Sequence, residues 1–156
     1  MRFRYPLYAA LVTLAVFVFG CTDQNVEDDF IPIGNQPRIR VLDYAPDTVV
    51  QLQDSLVIML NVVDEDGDVG YANPDTTSIF VLDERLESST PYWLPILEND
   101  STGNAVDAVY TFKLKPFFLL EETLNFETTT LSIQVMDHLG NRSNSTIIGP
   151  ITILRE

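Results

Sequence analysis

Apolar positions follow two different rules along this chain. From Leu7 to Gly20 they run almost without interruption, whereas after Pro37 they take a period of two. The second rule is plainest in Ser55–Val63, where Leu56, Ile58, Leu60 and Val62 alternate onto one face, as in a strand with one side turned toward a core. Further strands are predicted over Arg38–Tyr44, Ser78–Leu82, Tyr92–Leu97, Ala105–Leu114, Thr129–Asp137 and Ser145–Leu154. Each is bounded by turn chemistry: Ala45-Pro46-Asp47, the Asp-Gly-Asp around Gly67, Asn99 to Gly103, and Leu139-Gly140-Asn141. The longest helix the pattern allows is Pro116–Glu122, a short crossover at most. About seven strands at this spacing, without long helices between them, predict an all-β, antiparallel, immunoglobulin-like β-sandwich, with a small closed barrel as the alternative.

The uninterrupted run has a different meaning. It follows Arg2 and Arg4 and ends at Cys21, the order of basic, apolar and small-residue regions that an export signal needs. It is also shorter than the roughly 20 apolar residues that a helix needs to cross a bilayer. Around its end, Val18-Phe19-Gly20-Cys21 resembles the lipobox of bacterial lipoproteins, although Phe19 is bulkier than that pattern prefers. The resemblance implies cleavage before Cys21 and lipidation of its sulfur; an uncleaved anchor or an ordinary secretory signal is the plainer reading. The chain then divides into a signal peptide (1–20), a lipidated acidic tether (21–37) and the β-sandwich (38–156).

Composition narrows the options. Cys21 is the only cysteine, so the domain has no intrachain disulfide and must hold together by packing. Once Arg2 and Arg4 leave with the signal, seven basic residues face 23 acidic ones. A surface so acidic repels phosphate backbones, which argues against nucleic acid as a partner and in favour of cations. Part of this charge, Asp23, Glu27, Asp28 and Asp29, lies just after Cys21. In that position it resembles the acidic export tags of surface lipoproteins in Bacteroidota, while also suiting any solvated linker.

The densest polar constellation is Asp64-Glu65-Asp66-Gly67-Asp68-Val69-Gly70, directly after a predicted strand. In an extended chain, alternate aspartates would sit about 7 Å apart, too far to share one ion. Gly67 and Gly70 permit the turn that would bring them together. Calcium suits such a loop because it is a hard cation that accepts six to eight oxygens in adaptable geometry, whereas a chain with one His and one Cys offers zinc little. Asp64, Asp66 and Asp68 are therefore candidate calcium ligands, against the simpler reading of a solvated Asp-Gly turn. The spacing partly imitates an EF-hand, with Asp75 in the last place, but Val69 stands where that loop needs Gly and a strand precedes it. In a sandwich, the Asp137–Asn144 loop falls at the same end, so Asp137 is the fourth candidate ligand, with Asn141 beside it.

Two segments together, Val63-Asp64-Glu65-Asp66-Gly67-Asp68-Val69-Gly70 and Ile133-Gln134-Val135-Met136-Asp137-His138-Leu139-Gly140-Asn141-Arg142-Ser143-Asn144, resemble small uncharacterised surface and envelope lipoproteins of Bacteroidota. The resemblance implies an immunoglobulin-like fold and an outer-membrane address and assigns no activity. An enzymatic reading has little to stand on: His138 is the only His, and no nucleophile elbow or phosphate loop is present. A carboxylate pair acting on glycosides is what remains of it. Tyr92 and Trp93, with Phe117 and Phe118, form a candidate ligand platform for a sugar or a protein, or else fill the core and its edge. The expectation is a non-catalytic, lipid-anchored envelope protein, a binding or structural module with a calcium-stabilised loop. Its partners would be the membrane, through the anchor, and envelope proteins or glycans; a glycan-binding accessory lipoprotein is the alternative.

Overall fold

A computed structural model describes residues 34–97 and 105–156. The expected signal peptide, Cys21, the tether as far as residue 33 and the turn at 99–103 lie outside the described residues. The described residues form eight strands: β1 (Arg38–Ala45), β2 (Thr48–Val50), β3 (Leu56–Asp64), β4 (Ile79–Asp83), β5 (Thr90–Tyr92), β6 (Val106–Leu114), β7 (Phe126–Val135) and β8 (Thr146–Leu154). They make two sheets, in the orders β1-β3-β6 and β2-β8-β7-β4-β5. This is an immunoglobulin-like β-sandwich, in which the chain leaves one sheet after β1 and joins the edge of the other as β2. All pairings are antiparallel except β2 with β8, which is parallel.

Period-two alternation builds the core. Leu56, Ile58, Leu60 and Val62 of β3 are fully buried, and they face Ile79 and Val81 of β4, Leu131, Ile133 and Val135 of β7, and Ile148, Ile151 and Ile153 of β8. Because side chains alternate sides along a strand, each strand commits one row to this layer and the other row to solvent.

Three elements differ from expectation. Strand β2 was not expected, since three residues are too short to show a period; its pairing with the end of β8 is what makes it a strand. The segment Tyr92–Leu97 is paired as a strand only at its start, where Ile79 pairs with Tyr92, the last residue of β5. Pro116–Glu122 is not helical: Leu52 donates its backbone N–H to the Phe117 carbonyl at 2.9 Å, and buried Phe117 and Leu119 flank exposed Phe118, a spacing of two that a helix would not give.

Strands run the length of the sandwich, so its ends are distinct. The start of β1 lies at the carboxyl end of β3, because Arg38 pairs with Val63, and the carboxyl end of β7 shares that pole, because Val69 beyond β3 bridges Asp137 beyond β7. That pole carries the acidic loop.

Candidate cation site

The inward row of β3 runs 56, 58, 60, 62, and its next member is Asp64. The inward row of β7 runs 131, 133, 135, and its next member is Asp137. Both aspartates inherit the core-facing side of their strands and both are fully buried. One row from each sheet therefore ends in a carboxylate at the same pole.

Beyond Asp64 the chain turns back on itself. Gly67 and Gly70 adopt positive φ, 69° and 87°, and the Asp68 N–H donates to Asp64 Oδ2 at 3.0 Å. At Gly70 the turn admits no other residue, since a Cβ there would lie 2.2 Å from the Pro95 carbonyl oxygen. The curl gathers one carboxylate oxygen each from Asp64, Asp66 and Asp68 to within 4.8 Å of one another. The Oδ1 atoms of all three are withdrawn from solvent and have no hydrogen-bond partner. A buried charged oxygen left in this state costs on the order of 1–3 kcal/mol or more.

The electrostatics carry the same signature. Burial first, then the charges of Asp66, Asp68 and Asp137, pushes the Asp64 carboxyl from 3.8 up to about 6. Asp68 is raised as well, by burial and then by Asp137 and Asp66, with His138 opposing. Carboxylates held together against their own repulsion form a well of negative potential, into which a hard cation fits.

Asp137 is placed differently from the other three candidates. Its two oxygens accept from the backbone N–H of Asn141 at 2.7 Å and from Asn141 Nδ2 at 2.8 Å. It stands outside the group of converging oxygens while acting on Asp64 and Asp68 through its charge. Val69 bridges Asp137, and the His138 N–H donates to the Asp68 carbonyl at 3.1 Å, so the acidic loop and the β7–β8 turn are joined by their backbones. The His138 ring lies 4.4 Å from that of Tyr71, with Nε2 2.6 Å from the Gly70 carbonyl oxygen.

Tyr92 and Trp93 are both half-buried. Tyr92 packs 5.8 Å from Phe112 and, with Phe117 and Phe118, lines a cavity of about 110 Å³ at the other pole. Trp93 is not part of that lining and donates its indole N–H to the Tyr71 carbonyl at 2.7 Å, holding the end of the acidic loop. Sequence reasoning passed over Asn144, which acts in this region through its side chain. The parity of β3 and β7 was a readable signal for the burial of Asp64 and Asp137.

Fold and site together define a disulfide-free β-sandwich with a buried carboxylate cluster at one pole. No family model and no curated protein matches the chain. Among solved structures, the chain is similar to a mutant of the SrpA adhesin from Streptococcus sanguinis, with 15% identity and a TM-score of 0.37, covering 80% of this chain and 60% of that one.

Proposed function

We propose that this chain is a non-catalytic, lipid-anchored protein of the cell envelope, whose sandwich is closed at one pole by a calcium ion held by Asp64, Asp66 and Asp68. The observation that carries the reading is the convergence of one carboxylate oxygen each from Asp64, Asp66 and Asp68, three residues whose Oδ1 atoms are buried and unpartnered. Calcium suits them better than magnesium, which gives up water reluctantly and demands near-octahedral geometry. Backbone carbonyls and water would complete the shell, and Asp137 adds negative charge behind it. With no disulfide available, an ion that joins loop to strand ends supplies a staple that packing alone does not.

The anchor and the address rest on the basic, apolar and small-residue order that ends at Cys21 and on the acidic residues following it. The protein would sit in the outer membrane, with envelope proteins or glycans as partners. A glycan-binding role draws on the cavity that Tyr92 shares with Phe117 and Phe118.

Calorimetry of the full chain in detergent, with millimolar calcium or with EDTA, tests the ion. At a hundred times the dissociation constant, linkage adds about 2.7 kcal/mol and raises the melting point by several degrees. Asp66→Ala should abolish the shift. Identical melting in calcium and EDTA would refute the site.

A further inference from the structure

The geometry points to a clasp: the turn that covers the cation site also grips the segment by which the chain enters the sandwich, so loading the site orders residues Asn35 to Ile39. This inference rests on the cation reading above.

Two sets of contacts carry it. One joins loop to turn: the Asp68 carbonyl accepts from the His138 N–H at 3.1 Å, and Val69 bridges Asp137. Asp137 then closes the turn on itself by accepting twice from Asn141. The other joins turn to incoming chain. Asn141 Nδ2 also donates to the Asn35 carbonyl at 3.2 Å. Asn144 behaves like a strand partner for Ile39, accepting from its N–H at 2.9 Å through Oδ1 and donating to its carbonyl at 2.9 Å through Nδ2. On its other side the incoming strand pairs with β3 one residue from Asp64, since Arg38 is opposite Val63. Pro37 is buried between these contacts.

Charge decides the strength of the grip. Asp64 and Asp68 lie on the loop and Asp137 lies on the turn, so without a cation the two segments that must stay together carry repelling charges. A divalent ion among the three loop carboxylates cancels two of their three charges and so removes most of the repulsion on Asp137, and the loop, turn and incoming segment then behave as one unit. Without the ion, the turn opens at lower cost than the sandwich unfolds, and Asn35 to Ile39 are released with it.

Hydrogen exchange of the full chain, read by mass spectrometry in 1 mM calcium and in EDTA, tests the clasp. Amides of residues 35–41 and 138–144 should exchange at least tenfold more slowly with calcium, and should slow by a larger factor than those of Val49 and Ile153 at the other pole. Asn144→Ala should keep the heat of calcium binding in titration calorimetry and lose the slowing at Ile39. Absence of binding heat in the wild type defeats the cation reading itself. Binding with unchanged exchange at 35–41, or with equal slowing at both poles, overturns the clasp and leaves the cation site standing.

Discussion

Asp64→Asn should stabilise the metal-free protein at neutral pH, although it alters a fully buried side chain at the end of a core strand. In the wild type, Asp64 must ionise at pH 7 against burial and the fields of Asp66, Asp68 and Asp137. A carboxyl held at about 6 in place of 3.8 corresponds to at most about 3 kcal/mol, at roughly 1.4 kcal/mol per tenfold change in affinity for the proton. An Asn amide keeps the hydrogen bond in which its oxygen accepts from the Asp68 N–H, and it puts a neutral donor where the unpartnered Asp64 Oδ1 stood. Solvent screening discounts that figure, so the expected gain is about 1–3 kcal/mol, or roughly 3–8 °C in melting temperature. The pH dependence fixes the sign. A carboxyl raised in the folded state contributes stability that is fully present below 3.8 and is lost as pH rises through about 6. The advantage of the variant in EDTA should therefore be largest above pH 7 and shrink toward pH 4. In millimolar calcium the order should reverse, because the variant has lost a ligand. Urea denaturation of both proteins at pH 4.5 and 7.5, in EDTA and in calcium, gives the four comparisons. A variant less stable than the wild type in EDTA at pH 7.5 would show that the cluster is not a store of uncompensated charge.

Two further expectations concern other parts of the fold. Burial raises the Asp83 carboxyl, but hydrogen bonds from Arg85 and Thr129 and the Arg85 charge prevail and hold it below its ordinary value. Arg85→Met should cost about 3 kcal/mol in urea denaturation at pH 7, a loss that fades as pH falls through the depressed value; a variant equal to the wild type at pH 7 would refute this. Gly70→Ala forces a Cβ to 2.2 Å from the Pro95 carbonyl oxygen at a φ of 87°, so it should destabilise by more than about 2 kcal/mol. A melting point unchanged from the wild type would mean that the acidic loop is not held where Trp93 and Pro95 place it.

The sandwich was legible in the sequence because alternation reports burial directly: Leu56, Ile58, Leu60 and Val62 are the inward row that their spacing announces. The loop aspartates were legible for a similar reason, since Asp-Gly-Asp both turns and carries charge. Strand β2 was not, because three residues show no period and its partner is about a hundred positions away in β8. The short helix allowed over Pro116–Glu122 does not form: Phe117 and Leu119 are buried in the core with Phe118 exposed between them, and the Leu119 N–H donates to Gln51 Oε1.

What the sequence alone determined is local: which residues alternate, where the chain turns, how few cysteines it has and how much negative charge. The tertiary structure decided which charges meet. Sandwich architecture put the loops of Asp64 and Asp137, 73 residues apart, at one end, and strand parity turned both inward; the sequence does not state that Asp137 is taken up by Asn141 and stays outside the group formed by Asp64, Asp66 and Asp68. Nor does it state that Asn144 would pair with Ile39 across 105 positions. Spacing along a chain fixes the face on which a side chain lies. Which other face it meets depends on how the sheets stack, and that is set by the whole core at once.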